Sequence, residues 1–176
     1  MRIAYKRAFM DNLTLGPNMG IEKIAVLGAG QMGNGITQVA ACAGYDVVMI
    51  DIKQEYLEKG LTAIENSLSR VVKKERMTQQ EADDALSLIS VATEKVAAAD
   101  ADLVVEAIPE IPELKFSTFA ELDSICKPES ILASNTSSIS INAIADATNR
   151  PDRVIGMHFM NPVPVMKLVE IINGKE

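Results

Sequence analysis

The sequence carries one histidine, His158, and an acidic residue twelve positions beyond it, Glu170. An imidazole with one nitrogen bonded to a carboxylate is oriented and made more basic, which is what a general base requires. The same two residues also read as a core histidine bonded to a carbonyl, with Glu170 on the surface. The residue types alone leave both readings open. Upstream, "GAGQMG" sets Gly28, Gly30 and Gly33 in G-x-G-x-x-G spacing, and Asp51 stands 23 positions after Gly28. In that spacing the first glycine permits a sharp turn, the second lets backbone approach a pyrophosphate, and the third lets helix and strand pack closely. Gln31 and Met32 complete the cofactor loop, and the helix that opens there presents N–H groups and positive potential to phosphate. Asp51 would accept hydrogen bonds from ribose hydroxyls and repel a 2′-phosphate, which favours NAD over NADP. FAD shares the fingerprint and competes for the assignment, and a purely structural glycine turn is the plain alternative.

Two further groups carry possible chemistry. "SNTSS" holds Ser137, whose hydroxyl could bond a substrate oxygen or could serve only a Ser/Thr turn or helix cap. Arg70, Lys73, Lys74 and Arg76 form the one basic cluster in an acidic chain. Such a cluster suits a solvated helix end, and it also suits the phosphates of a large anionic substrate.

These residues need a frame to position them. Lys23–Leu27 reads as a buried strand, Gln31–Ala43 as a helix with Ile36, Val39, Ala40 and Ala43 on one face, and Asp46–Asp51 as a second strand. Strand, glycine turn, helix, strand is a βαβ unit. A long amphipathic helix follows over about Gln54–Glu75, with Leu57, Leu61, Ile64, Leu68 and Val71 in one stripe. Thr78–Glu81 has the capping-box pattern and starts a second helix to about Leu88. This pair is longer than a crossover needs and could project from the sheet. Further strands are expected at Ile89–Ala92, Leu103–Ala107, Ile131–Asn135, Val154–Phe159 and Leu168–Ile172, with helices at Pro112–Ile125 and Ile141–Thr148. Alternation of this kind predicts an α/β, Rossmann-type doubly wound, mostly parallel sheet with an inserted helical pair. His158 and "SNTSS" would then lie at the carboxyl edge of the sheet, where ligands bind.

The 176 residues suit one domain able to bury a substantial core, expected over 21–176. Residues 1–20 read as an extension or leader: basic at Arg2, Lys6 and Arg7, broken at Gly16-Pro17, and without the apolar stretch of a signal peptide. The net charge of −7 argues against nucleic acid or anionic membrane as a partner. Cys42 and Cys126 lack metal-ligand spacing and read as reduced, buried or semi-buried thiols, which fits a cytoplasmic protein and gives no metal site.

With "GAGQMGNGI", "LVVEAIPE", "ILASNTSSISI" and "GMHFMNPVPVMKLVEII" in this order, the sequence resembles the NAD-binding domain of the L-3-hydroxyacyl-CoA dehydrogenase family from about Ile21 to Ile172. The resemblance implies an NAD-dependent enzyme of fatty-acid metabolism that oxidises (S)-3-hydroxyacyl-CoA to 3-ketoacyl-CoA. It implies that His158 is the general base, Glu170 its partner, and Ser137 a contact to the substrate's C3 oxygen. Glu110, Lys115, Ser137 and Asn161 would line the nicotinamide end of NAD, while Ser67 and Lys74 would lie near the CoA moiety. It further implies a helical second domain of roughly a hundred residues outside this sequence, which closes the site and makes a homodimer. A chain of this extent is therefore expected to bind NAD, with little or no turnover as its alternative behaviour.

Overall fold

The structure is a computed structural model and describes residues 20–174. The leader expected over residues 1–20 lies, but for Gly20, outside the described residues. Seven strands form one sheet: β1 (Lys23–Leu27), β2 (Asp46–Ile50), β3 (Ile89–Ala92), β4 (Leu103–Glu106), β5 (Ile131–Ser134), β6 (Val154–Phe159) and β7 (Val169–Asn173). Their spatial order is β3-β2-β1-β4-β5-β6-β7. The first six run parallel and β7 returns antiparallel against β6. The reversal has a simple cause. Only residues 160–168 separate β6 from β7, too few for a parallel crossover, which needs a dozen or more. The order changes direction between β1 and β4, the switch point at which open α/β sheets open a ligand crevice.

Helices α1 (Gln31–Cys42), α2 (Gln54–Lys73), α3 (Gln79–Ser87), α4 (Pro112–Ile125) and α5 (Ile141–Ala145) cover the sheet. Alternate residues of each strand face opposite layers. Ile24, Val26, Leu103 and Val105 pack with Ile36 and Ala40 of α1. Ala25, Leu27, Val104 and Leu132 pack with Phe119 and Leu122 of α4 and Ile144 of α5. Strands buried on both faces explain the near-continuous apolar runs. On α1 the buried residues are Gly33, Gly35, Ile36, Thr37, Gln38, Ala40 and Ala41. The expected Val39 and Ala43 are only half-buried, because small residues let the helix sit on its glycine-rich side.

The helical pair does not stand free of the sheet. Leu57, Ile64 and Leu68 are fully buried with Met49, Ala29 and Ala82 in a third cluster, while Leu61 is only partly buried against it. Gly60 lets α2 reach the glycine turn, since a Cβ there would meet the Ala29 carbonyl oxygen at 3.0 Å. The Thr78–Glu81 capping box forms in both directions. Helix α5 is shorter than the sequence suggests: the Thr148 hydroxyl takes the Ala145 carbonyl, and Asp123 draws the following chain away through the Asn149 N–H. The last strand sits one residue later than expected, at 169–173 instead of 168–172.

Candidate active site

The cofactor cradle begins where β1 ends. Gly28 has φ +100 and donates its N–H to the Ile50 carbonyl at 2.7 Å. A side chain there would strike the Ala107 carbonyl oxygen at 2.5 Å, so only glycine fits. A Cβ on Gly33 would fall 1.7 Å from the Gly28 carbonyl oxygen, which is the close helix–strand approach expected of the third glycine. At Gly30 a Cβ would meet nothing within 4 Å. That open side leaves room for a phosphate against the backbone, in front of a helix with no side-chain cap and no acid in its first turn. Asp51, at the end of β2, accepts the Ala29 N–H at 2.7 Å and the Ile52 N–H at 2.8 Å. Beyond its expected ribose role, it therefore braces the glycine turn, and its remaining lone pairs can still meet a sugar hydroxyl.

Further along the same edge lies a pocket of about 320 Å³. Met32, Glu110, Lys115, Ser137, His158 and Asn161 all line it. They come from α1, the loop after β4, α4, the loop after β5, the end of β6 and the loop after it. Antiparallel pairing sets His158 directly opposite Glu170. The imidazole Nδ1 lies 2.9 Å from a Glu170 carboxylate oxygen, with the ring about a quarter exposed. An ionised carboxylate can only accept, so Nδ1 carries the hydrogen, and in a neutral ring Nε2 presents a lone pair. Asn135 accepts the Phe159 N–H at 2.8 Å, and Gln31 donates to the Asn161 side-chain oxygen at 3.1 Å, which ties three loops around this ring.

The pocket floor is charged. Lys115 is buried and donates to Glu106 at 2.5 Å and to the Ile108 carbonyl at 3.4 Å, with Glu110 at 3.1 Å. Glu110 also accepts the Thr136 and Ser138 hydroxyls and the Ser137 N–H. Burial pushes the Glu110 carboxyl up, but the Thr136 hydroxyl and the Lys115 ammonium outweigh it and hold the group below the usual carboxylate range. Glu106, Ser134, Asn135 and Thr136 carry no expectation from sequence. The available signal was an acid ending the otherwise apolar run "LVVE", nine residues before a lysine.

Ser67 and Lys74 stand apart from this pocket on α2, the first half-buried and the second exposed at the helix end. Arg70, Lys73 and Arg76 are exposed beside Lys74. Among the described residues, no helix is long and apolar enough to cross a membrane.

The family model for the 3-hydroxyacyl-CoA dehydrogenase NAD binding domain matches residues 23–176. The chain is 51% identical over 154 residues to 3-hydroxybutyryl-CoA dehydrogenase of Bradyrhizobium diazoefficiens, covering 88% of this chain and 53% of that protein. It is 39% identical over 155 residues to the peroxisomal fatty acid beta-oxidation multifunctional protein AIM1 of Arabidopsis thaliana, covering 88% of this chain and 22% of that protein. Among solved structures it resembles (S)-3-hydroxybutyryl-CoA dehydrogenase from Ralstonia eutropha with TM-score 0.87 and 45% identity, over 89% of this chain and 55% of that one. The chain thus spans about half the length of the 3-hydroxybutyryl-CoA dehydrogenases it matches.

Proposed function

The chain belongs to the family of 3-hydroxyacyl-CoA dehydrogenase NAD-binding domains, and from that premise we propose that it supplies the cofactor cradle and the catalytic base for oxidising (S)-3-hydroxyacyl-CoA to 3-ketoacyl-CoA. The cofactor is NAD. The observation that carries the reading is the His158–Glu170 pair at 2.9 Å in a pocket on the same sheet edge as the glycine cradle.

In the proposed reaction His158 takes the C3 hydroxyl proton at Nε2 while Nδ1 keeps its hydrogen on Glu170. The Glu170 carboxylate stabilises the imidazolium that results. Ser137 hydrogen-bonds the C3 oxygen and holds it toward the ring. Held by the cradle and pocket residues, NAD⁺ would supply the acceptor for the hydride that leaves C3. Positioned general-base catalysis of this kind gives about 10²–10⁴-fold. Gly28, Gly30, Gln31, Met32 and Gly33 would hold the pyrophosphate and Asp51 the ribose, with Glu110, Lys115 and Asn161 around the nicotinamide. The exposed cations at the end of α2, Lys74 among them, together with Ser67, would receive the CoA phosphates. We place the protein in fatty-acid oxidation and in the cytoplasm, a setting that the free thiols Cys42 and Cys126 suit. A homodimer belongs to the same reading.

A second reading is that this chain binds NAD and turns over little, supported by a glycine cradle that is complete among the described residues. Titrating NADH fluorescence and assaying acetoacetyl-CoA reduction on one sample separates the two. Binding with turnover supports the dehydrogenase reading, and binding without turnover supports the module. No NADH binding at all overturns both.

A further inference from the structure

Glu106 is fully buried, yet it sits beneath the pocket that His158 faces. It follows Val104 on the α4 side of β4, so its carboxylate meets the α4 residue Lys115. Each of its oxygens is engaged. One accepts the Lys115 ammonium at 2.5 Å and the Ile108 N–H at 2.8 Å, and the other accepts the Ser134 hydroxyl at 2.6 Å. Ser134 in turn accepts the Thr136 N–H at 3.2 Å, within the turn that carries Ser137. Glu106 therefore joins the loop after β4, helix α4 and the turn after β5.

Burying two charges here is expensive, and an apolar pair of the same size would fill the space at no less stability. What the ions supply is charge and fixed geometry at the pocket floor. Glu106 and Glu110 share one ammonium, so the floor carries one net negative charge. Hydride leaves the same carbon whose oxygen His158 serves, so the acceptor ring must lie in this pocket. That ring is cationic when oxidised and neutral when reduced. We propose that Glu106 is a positioning residue that fixes Lys115 and the Ser137 turn and gives the pocket floor the negative charge that favours NAD⁺ over NADH. The proposal rests on NAD being the cofactor of this pocket.

The test measures dissociation constants for NAD⁺ and NADH by titration calorimetry on the whole chain. In Glu106→Gln the floor loses its net charge, and Kd(NAD⁺)/Kd(NADH) is expected to rise about threefold to tenfold. In Lys115→Met the two carboxylates lose their shared ammonium and one of them takes up a proton, so the floor keeps one negative charge and the ratio stays near wild type even if both affinities weaken. The double variant also carries one negative charge, on Glu110, and its ratio stays near wild type. A purely structural role moves both constants by one factor. A ratio constant within about twofold across the variants overturns the proposal while leaving NAD binding intact. If Glu106→Gln does not fold, Glu110→Gln, at the more exposed carboxylate of the same ammonium, removes the same unit of charge from the floor, and no rise in the ratio there overturns the proposal equally. Wild-type chain that binds neither form contradicts the functional reading itself, which separates the two failures.

Discussion

His158 depends on a neighbour that sequence distance disguises. Twelve residues away along the chain, Glu170 is directly opposite across an antiparallel pair. The β-strand period places both side chains on one face, so the carboxylate orients the ring without any help from a loop. His158→Gln is expected to lower acetoacetyl-CoA turnover by about 10²–10⁴-fold, with NADH affinity nearly unchanged. Steady-state assay beside an NADH titration checks this, and undiminished turnover contradicts the base assignment. The pair was legible as a possibility because the short segment after β6 forces a tight return. Glu106 was not legible, since its partners come from β5 and α4 and meet only through strand pairing. The spacing proposes Asp51 as a ribose acceptor, whereas its bond to the Ala29 N–H needs the folded turn to be seen.

At the scale of elements, one contact fastens the carboxyl end of α4 to the chain after α5. Arg150 donates to the Asp123 carboxylate at 2.6 Å and to the carbonyls of Asp123, Cys126 and Lys127. It is a cation at a helix C-terminus, where the orphan carbonyls and the helix dipole both favour it. Both side chains are largely buried. Arg150→Met should cost roughly 3 kcal/mol, read as a lower denaturant midpoint with little change in slope. Burial pushes the Asp123 carboxyl up, but the Asn149 N–H and side-chain amide and the Arg150 guanidinium outweigh it and hold the group below its ordinary value. A folded value below the unfolded one means that this stability is present above about pH 4 and is lost as the pH falls through the folded value. Denaturant titrations from pH 7 downward should show that loss in wild type, and less of it in Arg150→Met. The boundaries of β1, β3, β6 and α4 were legible because apolar runs and turn residues agree there. The end of α5 was not, because Asp123 of another helix decides it.

For the molecule as a whole, a mostly parallel sheet with its switch point between β1 and β4 gathers the expected groups, except Ser67 and the basic cluster Arg70, Lys73, Lys74 and Arg76, along one carboxyl edge. The glycine cradle and Asp51 occupy one part of that edge, and the charged pocket with His158 occupies the other. The chain is acidic, with net charge −7, so an anionic cofactor must be captured by backbone amides and helix potential at the cradle instead of by broad attraction. On the proposed reading Asp51 selects among nicotinamide cofactors, because a 2′-phosphate would face its carboxylate. The most direct measurement is a parallel fluorescence titration of the chain with NADH and NADPH. NADH should saturate the chain, with NADPH at least about tenfold weaker, the size of one unfavourable charge contact at a partly shielded site. Equal affinity for the two, or no saturable binding of NADH, would contradict the assignment of this edge as an NAD site.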